Sequence, residues 1–296
     1  MVIGFTAASL ATAIINIVLG IFVYLKNKKS ALNRTWLVLS ISVSIWSFGI
    51  FEMHNSPDKS QALFWIHIMY IGAIFIPSCF LHFIFTILGK DRYTRERRIL
   101  SVIYIISILF FASNFSPLLI KDVAPKFSFK YFTVGGILFP FFSLFFLCTI
   151  IFAHYELIKG FSYALSSKKN QLKYIFIASM IGFGGGISTF LPAFNIKIYP
   201  FGYYLVAFYP LIISYAIVKH RLMDINIVIK KGTIYTYLLF LILVPCMLLI
   251  IFAQRFFFHE INYAFSALVF LVLFLAAFAF SKTRFSAERF IERILF

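Results

Sequence analysis

The stretch that decides the fold is Tyr199–Gly232, YPFGYYLVAFYPLIISYAIVKHRLMDINIVIKKG. Its first part, Phe201 to Val218, carries no charge. At ~1.5 Å per helical residue it is long enough to cross a hydrocarbon core of roughly 30 Å. Lys219, His220 and Arg221 stop it. Beyond them Leu222, Met223, Ile225, Ile227, Val228 and Ile229 are mixed with Asp224, Asn226, Lys230 and Lys231, a composition suited to a segment lying at a membrane surface. A membrane helix that runs into a basic amphipathic connector can carry movement out of a bilayer. His220, Arg221, Leu222 and Asp224 are therefore candidate relay residues.

Working outward, the whole chain has the same character. Of its 296 residues 62% are hydrophobic and 20% aromatic, with a mean hydropathy of +0.95, far outside the range of a soluble domain. The net charge of +17 does not point to nucleic acid, because the basic residues sit in short loops between apolar runs, where they set topology. Cys79, Cys148 and Cys246 lie inside apolar runs without CxxC or Cys/His spacing, which suits buried small hydrophobes. No metal site and no cofactor is expected. The first apolar run lacks a basic n-region and a small-residue cleavage site, so it reads as a retained helix.

Nine apolar runs can be counted, at about 3–25, 35–53, 61–88, 99–117, 134–157, 174–192, 201–218, 233–252 and 262–280. Alternate loops hold 21 of the 27 Lys and Arg residues, and the other side keeps only Lys59, Lys121, Lys126, Lys130, Lys197 and Arg255. The positive-inside rule then predicts an all-α bundle of nine transmembrane helices with the N-terminus outside and the C-terminus cytoplasmic. Three parts follow: residues 1–231, a membrane domain with its connector; 232–281, two further helices; and 282–296, the start of a linker helix. Outside loops are short apart from Leu118 to Thr133, which leaves no room for a folded outer domain.

Several residues could read a signal. His82 at membrane depth should face the bundle, since an ionisable group in hydrocarbon is costly. His67, fifteen residues earlier and on a similar face of the third helix, could share a ligand or proton-sensing pocket with it; each could equally be a histidine bonded to a neighbouring helix. Glu52 and His54 at the outer end of the second helix are candidates for a pocket rim, although interfacial solvation explains them as well. Pro77 frees the carbonyl near Ala73 and can kink the third helix, with Ser78 available to satisfy the opened backbone. Gly182 and Gly186 have the GxxxG spacing that lets helices approach closely.

Absent motifs narrow the chemistry. No mid-membrane lysine stands in the seventh helix to hold retinal, and neither HExxH, GxSxG nor a run of intramembrane carboxylates occurs. A small transporter or permease-like protein is the alternative reading, which an inverted repeat would favour. None is visible.

Four segments, in order, resemble the N-terminal seven-helix membrane region of bacterial sensor histidine kinases. They are Asn33-Arg34 leading to Trp46-Ser47-Phe48-Gly49; Pro77 to His82-Phe83, closing with Gly89-Lys90-Asp91-Arg92; Gln171-Leu172-Lys173-Tyr174; and Tyr199-Pro200-Phe201-Gly202 to Lys219-His220-Arg221-Leu222-Met223-Asp224-Ile225. The resemblance covers about residues 5–231. It implies an input region that passes a signal to a kinase or effector module, in cis or in trans, from a multi-pass position in the inner membrane. Its expected partners are the lipid bilayer, that cytoplasmic module and a second copy in a homodimer. No histidine followed by an acidic residue and a proline, and no glycine-rich ATP lid, stands in the cytoplasmic part, so this chain is expected to have no kinase activity of its own. It is read either as a piece of a longer kinase or as a separate sensor subunit.

Overall fold

The computed structural model describes residues 2–164 and 166–220, and beyond them only the single positions 254, 265, 266, 268, 269, 271 and 272. The connector residues Arg221, Leu222 and Asp224, the run at 233–252, most of the run at 262–280 and the tail at 282–296 lie outside the described residues.

Helices α1 (Val2–Lys26), α2 (Ala31–Asn55) and α3 (Lys59–Ile87) form a serial antiparallel set, joined by turns whose caps are legible in the chain. Ser30 opens α2 by accepting the Asn33 amide, and Asp58 opens α3 by accepting that of Gln61. At the other end of α3, Gly89 takes φ +70° while its amide bonds the Thr86 carbonyl and the Lys90 amide bonds that of Phe85. That pairing of two orphan carbonyls through a left-handed residue is why a glycine stands there. Five helices among the described residues are long and apolar enough to cross a membrane: 4–26, 31–55, 59–87, 139–163 and 168–193. The chain is a multi-pass membrane protein.

Helix α4 (Thr94–Asn114) lies on α3 along one narrow stripe. Its buried residues are Leu100, Ser107 and Asn114, seven apart, while Val102, Ile105, Ile108 and Leu109 are exposed, as suits a helix facing lipid. The contact is polar. The Asn114 side chain donates to the His67 carbonyl at 2.9 Å, and the Ser107 hydroxyl sits 2.6 Å from that of Ser78 and donates to the Ile74 carbonyl. Helix α3 runs on through Pro77 without ending. Ser78 was expected to satisfy the backbone opened by Pro77, but its hydroxyl reaches across to α4 instead.

Residues 120–135 correct the all-α expectation. Strands β1 (Ile120–Lys126) and β2 (Phe129–Gly135) pair antiparallel, with Phe127 and Ser128 as the turn and Phe127 at φ +53°. A positive φ at the first turn position matches the twist of a two-residue hairpin. The one long loop among those expected to be short, Leu118 to Thr133, is thus a hairpin whose Leu119, Ile120, Val123, Phe129, Phe132 and Thr133 are buried. Helix α5 (Phe139–Tyr163) follows it, and α6 (Ser166–Ile187) ends where the Ser188 and Thr189 hydroxyls turn back onto the Gly185 and Gly186 carbonyls.

The single seventh helix expected over 201–218 is broken. After α7 (Phe190–Ala193) come α8 (Tyr203–Val206) and α9 (Tyr209–His220), with a turn at Ala207 and Phe208 between them. Pro210 has no amide to offer the Val206 carbonyl, so the helical ladder is interrupted at that point. Basic residues gather at the end of the bundle formed by the α1–α2, α3–α4 and α5–α6 turns. Lys59, Lys121, Lys126, Lys130 and Lys197 lie at the opposite, hairpin end. At the basic end Lys90 and Glu156 form an ion pair that ties the turn after α3 to α5.

Candidate functional site

The hairpin end holds a small chamber built from five elements. Helix α2 ends there with His54, α3 supplies Met69 and Tyr70, β2 supplies Phe132 and Thr133, α1 supplies Phe5, and the α6–α7 link brings Thr189 and Phe190. The cavity between them measures about 20 Å³. A second cavity of about 40 Å³ lies deeper, lined by side chains that include Leu39, Val43, Ala73, Ile76, Gly182 and Tyr209. Trp46 and Phe190 line both.

His54 is the polar centre of the upper chamber. Its ring stacks on Phe129 with centroids 4.4 Å apart and meets Phe5 edge-on at 5.4 Å. It is 9% exposed, and neither ring nitrogen has a hydrogen bond of normal geometry, although the Tyr131 backbone is the nearest polar group to face it. A neutral imidazole has one donor and one acceptor, and leaving them unmet in a buried setting costs about 1–3 kcal/mol. Across the chamber the Tyr70 hydroxyl donates to Thr133 Oγ1 at 3.4 Å, a long bond. Phe5 also stacks on Tyr203 at 4.4 Å, so α1, α2, β2 and α8 share one aromatic cluster.

His54 is also the last of a column. Asn33, Ser40, Ser47 and His54 are spaced by seven on α2, all are buried, and each keeps at least one polar atom without a partner. At ~1.5 Å per residue the column spans roughly 31 Å, close to the thickness of a bilayer core. Asn16 of α1 adds an unpartnered oxygen beside it, and the Tyr203 hydroxyl of α8 faces Ser9 and Ser47 without a bond of normal geometry. Most buried polar groups in proteins are bonded, so a row of exceptions marks a feature rather than noise.

Three lysines hold the hairpin down. Lys126 Nζ donates to the carbonyls of Thr133 (3.1 Å) and Pro192 (2.5 Å) and to Asn195 Oδ1 (2.9 Å), and Lys130 Nζ reaches the Pro57 carbonyl at 2.7 Å. Asn195 is positioned for this by its own left-handed conformation, φ +62°, at the end of α7. Burial pushes the Lys126 ammonium below its usual pKa. Lys59 and Asp122 form an ion pair at 2.6 Å, and the hydrogen bond from Lys59 is the main reason the Asp122 carboxyl is held below the ordinary carboxylate value.

That pair sets a pH dependence with a definite sign. A carboxyl with a lowered folded pKa adds stability above its unfolded value and loses it as pH falls through the folded one. Both side chains are more than a third exposed, so the contribution is well under about 1 kcal/mol. The melting temperature of Asp122→Asn is therefore expected to lie slightly below wild type near neutral pH and to meet it at about pH 2. A gap that widens in acid would show the opposite linkage.

The other sequence candidates are dispersed. His67 and His82 do lie on one face of α3, both towards α4, yet fifteen residues separate them by roughly 22 Å. They cannot share a pocket. His82 Nδ1 is 3.1 Å from the Tyr104 hydroxyl, the helix-to-helix bond of the alternative reading, and the His67 ring stacks beside Phe115 with its Nδ1 buried and unpartnered. Glu52 is half-buried one residue before Met53 and lines neither cavity. Gly182 and Gly186 pack closely, but the tightest approach on this helix is at Gly185. A Cβ on Gly185 would run into the Gly202 carbonyl, whereas Gly182 and Gly186 face Tyr209 and Trp46 across the deeper cavity, at 3.2 and 3.3 Å from an added Cβ. His220 ends α9.

Sequence reasoning placed His54 at a pocket rim but missed Tyr70, Phe129, Phe132 and Thr133. The seven-residue recurrence of Asn33, Ser40, Ser47 and His54 was the signal that could have found the column. The family model described as the N-terminal 7TM region of histidine kinase matches residues 8–226, about three quarters of the chain. No curated protein and no solved structure matches it.

Proposed function

Since the chain belongs to the family of N-terminal 7TM regions of histidine kinases, we propose that it is a sensory input region whose signal is read in the His54 chamber beneath the hairpin. The observation that carries this reading is a buried imidazole kept in a cavity without a hydrogen bond of normal geometry, at a cost that packing alone would remove. In this reading the hairpin end faces outward and the basic end faces the cytoplasm, as the 21 of 27 basic residues on one side support. Nine crossings, a cytoplasmic C-terminus and a homodimer belong to the same proposal. An occupant of the chamber changes the packing of α1, α2 and α8, and two packings with different affinity for it suffice to shift a population. The column on α2 is the route: side chains without fixed partners can exchange bonds as α1 slides along α2. The connector through His220, Arg221, Leu222 and Asp224 then passes the movement to a kinase or effector module. Glu52, His67 and His82 remain proposed contributors, His67 and Glu52 near the chamber end and His82 near the basic end.

The test is a fusion of this chain to the dimerisation and ATP-binding modules of a histidine kinase. Lys126→Met removes three bonds that hold the hairpin, and is expected to change autophosphorylation at least threefold. Lys197→Met, an exposed lysine at the same end, should leave it unchanged. Equal rates for Lys126→Met and the parent fusion would sink the proposal.

A further inference from the structure

Resting on that reading, we propose that the two cavities form one binding site for a small uncharged amphiphile, a molecule of the size and polarity of a short-chain alcohol. Its hydroxyl bonds His54 in the upper chamber and its chain enters the deeper cavity past Trp46 and Phe190. Neither this site nor its ligand class follows from membership of the family. Three observations on the molecule carry it.

The first is the head group. His54 has no hydrogen bond of normal geometry at either ring nitrogen, with only the Tyr131 backbone facing it, and Tyr70 and Thr133 share one long bond that a better partner can displace. Among the described residues no Asp, Glu, Lys or Arg lines either cavity, so an ionised head would find no countercharge there. Lys126, the cation that anchors the hairpin beside Thr133, already gives hydrogen bonds to three oxygens, and an ammonium has three protons to give. It has none left for an anion. The second is the tail. Besides Ser179 and the Tyr209 and Trp46 rings, the deeper cavity is lined by aliphatic and Phe side chains and by Gly182 and Gly186, where an added Cβ would stand 3.2 Å from Tyr209 and 3.3 Å from Trp46 and narrow the space. Cavities of this kind stay dry and accept apolar guests. The third is size. Together the cavities give about 20 and about 40 Å³. At ~10–15 Å³ for each water-sized position this is room for about four to six heavy atoms. 1-Butanol has about that number, and a long acyl chain does not fit.

The experiment uses the full chain in lipid nanodiscs and 2,2,2-trichloroethanol, a small alcohol that quenches tryptophan on contact. Collisional quenching rises linearly with concentration, whereas a guest beside Trp46 gives a saturable component. We expect that component in the wild type, displaced by 1-butanol at least tenfold more effectively than by sodium butyrate. Ala73→Leu, which fills the deeper cavity, should weaken it at least tenfold. If that variant does not fold, Gly182→Ala should weaken it at least threefold. His54→Phe should keep the component but lose an expected preference of about fivefold for 1-butanol over n-pentane, the worth of one hydrogen bond. Absence of a saturable component, equal competition by butyrate, or a component untouched by the cavity-filling variants would overturn the proposal. The kinase fusion separates the two claims. Binding of 1-butanol without any change in autophosphorylation keeps the site and removes the sensory reading. A response of the fusion to hairpin release without alcohol binding keeps the sensory reading and removes this ligand class.

Discussion

Gly72→Ala is expected to lower the melting temperature in detergent by about 6–12 °C, the equivalent of about 3 kcal/mol for a chain of this size. Helices α2 and α3 form the most extensive helix pair in the bundle, and two glycines set how closely they approach. A Cβ on Gly72 would enter the Ser42 carbonyl oxygen and lie 2.5 Å from the Trp46 nitrogen; one on Gly49 would lie 2.6 Å from Met69 Cα. These neighbours are backbone, so no rotamer change relieves the clash and one helix must move off the other. Since Trp46 lines both cavities and Met69 the upper one, the shift also opens the site. Gly184 supplies the control. A Cβ there meets nothing within 4 Å, and alanine is the better helix former by about 1 kcal/mol, so Gly184→Ala should be neutral or slightly stabilising. Equal melting temperatures for Gly72→Ala and Gly184→Ala would show that the α2–α3 seam tolerates the methyl group and that the close approach is not a determinant of the fold.

The membrane class was legible because it rests on composition and on the sidedness of lysine and arginine, both of which are properties of the chain as written. Helix starts were not. Arg95, Arg97 and Arg98 precede the apolar run expected from about 99 and read as loop charges, yet α4 begins at Thr94, because these residues form helix well and their long side chains carry the charge away from the axis. The hairpin carried no Asn-Gly or Asp-Gly turn to announce it. Phe127 accepts a left-handed conformation there that sequence propensity would not assign. Gly182 and Gly186 caught attention because their spacing is local, whereas Gly49 and Gly72 meet their partners across a seam between two helices. The chamber failed to appear for the same reason. His54, Tyr70 and Thr133 are brought together only by tertiary packing, and Glu52, which looked equivalent to His54 on the outer turn of α2, differs from it by the face on which it stands.

Two buried histidines should respond to the same substitution with opposite sign. His154 joins α5 to α6: its Nδ1 lies 2.8 Å from the Ile150 carbonyl and its Nε2 3.0 Å from the Ser179 hydroxyl. Removing that ring deletes the α5–α6 bond but leaves Ser179 its bond to the Phe176 carbonyl, and His154→Phe is expected to lose about 1 kcal/mol. In His54 neither nitrogen makes a hydrogen bond of normal geometry, and the Tyr131 backbone is at most a weak partner. His54→Phe keeps the stacking on Phe129 and the edge contact with Phe5, deletes two unmet polar atoms, and has the adjoining cavity of about 20 Å³ to receive the larger ring. It should therefore gain about 1 kcal/mol, a rise of about 2–4 °C measured in the same detergent as His154→Phe. The kinase fusion carrying His54→Phe should at the same time lose its response to an added alcohol. Stability that rises while response falls is the behaviour of a residue kept for binding, because the folded state alone would be better off without it. A fall in stability like that of His154→Phe would mean that His54 has a structural partner, and the chamber would then be a packing defect rather than a site.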